Sequence, residues 1–160
     1  MITIRLARAS DLEHLVPLLR AYLLFYQRAP ERARVRRFLA GRLSTRPVRI
    51  WVACDDTALV GFAQVYTTWS TLSLAPAWTL NDLYVAEPAR GLGVGRRLVA
   101  GVVAAARRER VAHVQLMTAV DNGTARALYD SMNFDTVDEF VTYSLPLTRN
   151  ARPRNRAERD

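Results

Sequence analysis

Three glycines alternate through Arg90-Gly91-Leu92-Gly93-Val94-Gly95-Arg96-Arg97, between an extended apolar stretch (Leu80 to Val85) and a helix-spaced one. Without Cβ atoms, backbone N–H groups can converge at such a turn, and the start of the following helix adds its positive end. That arrangement cradles a phosphate or pyrophosphate. The cations here break a local rule, because a helix's first turn favours acids, yet no acid occurs between Pro88 and Arg108. Each cation at a positive helix end costs a few tenths to ~1 kcal/mol, and a bound polyanion would reverse that sign. The plainer alternative is a flexible turn with solvated arginines. A P-loop needs a lysine after its last glycine, and the chain has none. A dinucleotide fingerprint needs a glycine where Arg96 stands and an acid at a later strand end. Nucleotide hydrolysis and dinucleotide reduction are therefore poor fits.

The elements that must position this turn follow from periodicity. Residues 2–7 alternate as a strand, and Ser10, Asp11 and Glu13 open a helix that runs to about Tyr26. Pro30 breaks the chain, and Val35, Phe38 and Leu39 mark a second helix. Strands are expected at 48–54, 59–70 and 76–85, the first two joined by the polar turn Asp55-Asp56-Thr57. A long helix over 93–108, a strand over 112–119, a helix over 122–132 and two strands within 134–147 complete the order. This predicts an α/β domain over residues 1–147, a mixed open sheet of six to seven strands with about four helices on both faces. Residues 148–160 are basic, lack apolar periodicity and read as a mobile tail.

A second segment lies beyond the intervening strand: Asn122-Gly123-Thr124-Ala125-Arg126-Ala127-Leu128-Tyr129-Asp130-Ser131-Met132-Asn133-Phe134. Ala125, Leu128, Tyr129 and Met132 fall on one helical face, so a core tyrosine would look the same. With the glycine turn it makes a specific pair. Arg90 to Gly95 resembles the pyrophosphate-binding signature Arg/Gln-x-x-Gly-x-Gly/Ala of the GNAT acetyltransferases. The second segment resembles that family's Asn-x-x-Ala-x-x-Leu-Tyr-x-x-x-Gly-Phe. Asn133 replaces the usual glycine, and asparagine is the next-best residue for a left-handed helix end. The resemblance implies a single GNAT-like domain that uses acetyl-CoA as cosubstrate and no metal. It implies that Leu83, Tyr84 and Val85 pair with the pantetheine arm. The pyrophosphate would fall to Arg90, Gly91, Leu92, Gly93, Val94, Gly95 and Arg96, with Arg97 alongside. Asn122 would touch the pantetheine or the acceptor, and Tyr129 would be the general acid.

Transfer of an acetyl group from a thioester to an amine needs proximity, a polarised carbonyl and a proton for the leaving sulfur. Tyrosine, with a pKa near ~10, keeps a proton to give at neutral pH. For the base, Asp82 and Glu87 are the nearest acids, and Glu87 reads as a solvated loop residue. Strand alternation sends Asp82 and Tyr84 one way, Asn81 and Leu83 the other. Asn81-Asp82-Leu83-Tyr84-Val85 is similar to a stretch of diamine and histone/polyamine acetyltransferases. Asn81 stands where the diamine enzymes carry glutamate, which weakens a polyamine assignment and leaves Asp82 the better candidate for the base. Tyr22, Phe25, Tyr26, Trp69, Asp135, Asp138 and Glu139 are expected along an acceptor pocket.

Composition narrows the remaining classes. The net charge is +8, and all 23 Lys/Arg positions are arginine; the tail carries +3 of it. The charge favours an anionic partner. One cysteine, Cys54, excludes an internal disulfide framework and fits a cytoplasmic location. His14 and His113 stand alone, without metal-ligand spacing, and no apolar run approaches a membrane span. The expected partner is a small-molecule or peptide amine, with a homodimer left open. A basic nucleic-acid-binding module is the disfavoured alternative, having no recognition helix or stacking motif. A non-catalytic acetyl-CoA sensor is another, against which Asn122 and Tyr129 argue.

Overall fold

Period-two alternation in five extended segments builds one sheet: β1 (Ile2–Leu6), β2 (Val48–Asp55), β3 (Ala58–Ser70), β4 (Ala75–Val85) and β5 (Val114–Leu116). They lie side by side in chain order; β1 to β4 are antiparallel neighbours, and β5 joins β4 in parallel. The computed structural model describes residues 1–45, 47–56 and 58–147, so the expected tail at 148–160 lies outside the described residues. Four α-helices are found among them: α1 (Leu12–Phe25), α2 (Arg32–Leu43), α3 (Val94–Arg108) and α4 (Gly123–Asp130). None is long and apolar enough to cross a membrane.

The alternation of β2 sorts the core into two layers. Ile50, Val52 and Cys54 face α1 and α2, where they meet Leu15, Val16, Leu19, Val35, Leu39 and Phe62. Trp51 and Ala53 face the opposite side, with Trp78, Leu98, Val99 and Val102. Helices thus cover both faces of a mixed open sheet. Gly61 shows how tightly α3 seats on it. A Cβ there would lie 2.8 Å from Tyr84 O and 3.3 Å from Leu98 Cδ1, so only glycine fits where β3, β4 and α3 meet.

Two expectations need correction. The sheet has five strands, where six to seven were predicted. Residues 134–147 carry a strand's apolar alternation, but a strand also needs a neighbour, and no pairing among the described residues extends past Leu116. The fifth strand, expected over 112–119, is bonded to β4 from Ala112 onward but its pairing ends at Leu116, opposite Leu80.

The entry to α1 is fixed by a buried ion pair. Asp11 accepts bonds from both Arg5 guanidinium nitrogens, at 2.7 and 2.9 Å, and from the Arg8 backbone N–H at 2.6 Å. Arg5 first, with the Arg8 N–H, holds this carboxyl below the usual range against the opposing effect of burial. Its stabilisation is therefore complete above the unfolded pKa of ~3.9 and is lost as pH falls below that toward the depressed native value. Asp11→Ala should cost about 1–2 kcal/mol at neutral pH, since it removes charge-assisted bonds to an Arg5 that is one-third exposed. In urea unfolding, the gap between variant and native protein should shrink on moving from pH 7 to pH 3.

Candidate active site

Strict alternation along β4 would put Leu80, Asp82 and Tyr84 on one face. The structure separates them. Gln64 pairs with Asp82 but Val65 pairs with Leu80, so Asn81 is an extra residue, a β-bulge. Leu80, Leu83 and Val85 consequently pack on the α3 side, while Tyr84 packs on the α1 side. The bulge also ends the pairing with β5. From Asn81 to Val85, β4 pairs with β3 alone, and no strand among the described residues covers its other edge. The expected alternation of Asp82 with Tyr84 and against Leu83 is present within this stretch.

That open edge leads through a short 3-10 turn, Glu87–Ala89, into the glycine loop. Gly91 and Gly93 adopt left-handed φ values of 76° and 74°. No atom lies within 4 Å of a Cβ position at either, so conformation rather than space demands glycine. Gly93 is the N-cap of α3 and supplies no side-chain cap. Arg97 N–H donates to Gly93 O at 3.1 Å, and the amides of Val94, Gly95 and Arg96 have no acceptor among the described residues. Three uncapped N–H groups at a fifteen-residue helix start form an anion cradle.

The three arginines beside the loop each have a protein partner. Arg90 donates from Nε to Val85 O at 3.0 Å, with its guanidinium 5.6 Å from the Tyr84 ring centre. Arg96 reaches across to Ser131, bonding its hydroxyl at 2.7 Å and its carbonyl at 3.2 Å. Arg97 contacts Ile2 O at 3.4 Å. Arg96 therefore ties the cradle to the end of α4. Gly95 lies between β4 and α4: a Cβ there would make ordinary contact with Leu128 Cδ2 at 3.6 Å and Val85 Cγ2 at 3.8 Å.

On α4, Asn122 is the N-cap, accepting the Ala125 N–H at 3.2 Å. Asn133 ends the segment at φ 60°, the left-handed conformation expected of it. Tyr129 stacks edge-on against Phe134 at 5.8 Å, and its hydroxyl bonds to no described residue. Burial, with a smaller contribution from Tyr26, pushes its pKa above the ordinary tyrosine value. The phenol holds its proton more firmly than a free one.

Asp82 sits in a polar cluster that the sequence reading missed. Asn81 Nδ2 donates to its Oδ2 at 2.9 Å, and Gln64 Nε2 donates to the same oxygen at 3.1 Å. Gln64, 3 % exposed, also donates to the Tyr66 hydroxyl at 2.7 Å. A glutamine within the buried run Phe62-Ala63-Gln64-Val65 was the available signal. From α1, Tyr22 lies 6.2 Å from Tyr84 and 5.1 Å from Tyr26, ring to ring. Burial and then the Asp82 charge push the Tyr22 phenol far up, which keeps it protonated beside the carboxylate.

Of the expected pocket residues, Tyr22 lies beside Asp82, and Tyr26 stacks on Tyr22 from farther out. Phe25 stacks on Tyr26 but is exposed, Trp69 projects from the far end of β3, and Asp135, Asp138 and Glu139 are exposed on the last segment. Glu87 is exposed as well, as a loop acid should be. Among the described residues, no three His, Cys, Asp or Glu side chains gather as metal ligands.

The comparisons with known proteins agree with this layout. Residues 14–134 match the model of the acetyltransferase (GNAT) family. The chain belongs to the GNAT acetyltransferase family. This GNAT chain is 33% identical over 142 residues to an uncharacterised N-acetyltransferase, YhfO, of Bacillus subtilis (strain 168), covering 89% of this chain and 95% of that one. A crystal structure of a probable acetyltransferase is 36% identical, with a TM-score of 0.86 over 91% of this chain and 98% of the other. The fold is shared with a ribosomal-protein-alanine N-acetyltransferase from Brucella melitensis biovar Abortus 2308, at 21% identity and a TM-score of 0.79 over 92% and 100% of the two chains. The protein is thus an acetyl-transferring enzyme of the GNAT fold.

Proposed function

We propose that this enzyme moves the acetyl group of acetyl-CoA directly onto an amine of a small molecule or peptide. One observation carries the reading: the unpaired edge of β4 runs straight into an uncapped, glycine-built helix start. An extended chain bearing amides can add to such an edge, and a diphosphate at its end meets the amides of Val94, Gly95 and Arg96. The donor arm would lie along Leu83, Tyr84 and Val85, with Asn122 at its side. Gly91, Leu92 and Gly93 shape the cradle, flanked by the guanidinium groups of Arg90 and Arg96.

Acetyl-CoA supplies the activated acyl carbon; the chain's residues manage position and protons. A backbone N–H near Val85 polarises the thioester oxygen as charge develops. The amine nitrogen bonds to the acyl carbon as the carbon–sulfur bond breaks. Asp82 receives the amine's proton, directly or through water, while Tyr129 gives its own to the departing sulfur. Tyr22 and Tyr26 wall the acceptor side, and a carboxylate among aromatic rings suits a cationic amine. The cytoplasm is the proposed location, in keeping with a single, buried, free thiol at Cys54.

Thiol release from acetyl-CoA across a panel of amines and peptides tests the reaction; no turnover with any acceptor would leave only a binding protein. Asp82→Asn should lower kcat/KM for the acceptor about 10–100-fold while leaving acetyl-CoA affinity within about twofold. Unaltered kcat/KM would remove Asp82 from the base role.

A further inference from the structure

Asp82 stands at one pole of a polar track whose other pole is a cation without an anion. Strand alternation along β3 puts Phe62, Gln64 and Tyr66 on the face that α1 and α2 cover. Gln64 Nε2 donates to Asp82 Oδ2 at 3.1 Å and to the Tyr66 hydroxyl at 2.7 Å. Having accepted that bond, Tyr66 keeps its own O–H, which finds no acceptor among the described residues. Burial first, then the Asp82 charge, raises the pKa of this phenol, and the guanidinium of Arg42, from α2, opposes both. A carboxylate and a guanidinium therefore lie within reach of one hydroxyl. They are not joined to each other: neither Asp82 nor Arg42 belongs to an ion pair among the described residues.

Arg42 is not a solvated surface cation. It is half-buried, with its guanidinium 5.2 Å from the Phe38 ring centre and its Nε buried without an acceptor. On the same helix, Arg32 and Arg36 both pair with Glu13. A half-buried cation facing no anion costs stability, and a carboxylate ligand offsets that cost. The guanidinium fork takes a carboxylate through two parallel bonds. In the other direction from Asp82, Tyr22 and then Tyr26 lead toward Tyr129, whose phenol responds to Tyr26. An acceptor whose nitrogen meets Asp82 thus has its far end toward Tyr66 and Arg42. A diamine lying this way sets its second ammonium against Arg42. A peptide end has its α-carboxyl locked in an amide. Neither supplies the missing anion.

We infer that the acceptor is a free amino acid, with its amine at Asp82 and its carboxylate on Arg42 and the Tyr66 hydroxyl. This rests on the proposed acetylation of an amine held at Asp82. Thiol release is measured with L-amino acids, their carboxamides and the amines lacking the carboxyl group. The two analogue series bracket the amino acids in amine basicity, so a preference over both reads the carboxylate. Each accepted amino acid should exceed its analogues in kcat/KM about 10–100-fold. Arg42→Gln should erase that preference, chiefly through the acceptor KM, and leave the acetyl-CoA KM within about twofold. Arg42→Lys, which keeps the charge without the fork, should restore part of it.

Equal kcat/KM for amino acids and their carboxamides would overturn the inference and leave amine acetylation standing. A preference that survives in Arg42→Gln would do the same. If no amine is acetylated, the transfer reading fails, and calorimetry on the CoA-loaded chain judges the carboxylate site. Heat from amino acids that Arg42→Gln abolishes supports it, and absence of heat overturns it. If Arg42→Gln does not fold, the native enzyme's choice among the three series decides.

Discussion

Replacing Tyr129 by phenylalanine is expected to lower turnover about 100-fold while leaving acetyl-CoA affinity within about twofold. The substitution keeps the ring and its packing against Phe134, and it removes only a hydroxyl that bonds no described residue. A loss confined to kcat means the hydroxyl acts when the bond breaks, and 100-fold corresponds to ~2.7 kcal/mol of barrier. The pH profile adds a second test. Burial raises this phenol's pKa, so the acid stays protonated throughout the neutral range. Native turnover should not decline on the alkaline side until pH exceeds ~10. The variant should lack that decline. Unchanged turnover would return Tyr129 to a packing role.

Gly93→Val should raise the KM for acetyl-CoA about 10–100-fold, with kcat at saturation much less affected. Gly93 holds φ at 74°, and no neighbour lies near its Cβ position, so the damage would be purely conformational. An L-residue pays roughly 1–2 kcal/mol there, and a β-branched one more. The loop would relieve that strain by turning the amides of Val94 and Gly95 out of register. Gly93→Asn provides the control, because asparagine visits the left-handed region readily. Its KM should stay within about threefold of the native value. Equal damage from both variants would show that space, not backbone angle, was being read.

What the sequence made legible divides along physical lines. The helices were readable because each buries one face at a period of 3.6, and the central strands because both faces are buried, which leaves continuous apolar runs. The glycine turn was readable because left-handed angles at Gly91 and Gly93 require that residue. The bulge at Asn81 was not, since one inserted residue looks like ordinary sequence; only the spacing of Leu80 and Leu83 hints at it. The bond from Arg96 to Ser131 was not legible, because a long side chain's partner in a distant element leaves no local pattern. Val141, Tyr143, Leu145 and Leu147 carry a strand's alternation, but alternation does not supply a partner, and no pairing among the described residues reaches them. Gln64 was overlooked because its role depends on a strand eighteen residues away, where it meets Asp82.

Calorimetric titration of acetyl-CoA into the purified chain at low salt tests the central claim most directly. The account predicts saturable heat at one site per chain, weakening as salt rises and greatly reduced in Gly93→Val. Absence of heat with the native protein, or an identical isotherm for the variant, would contradict it.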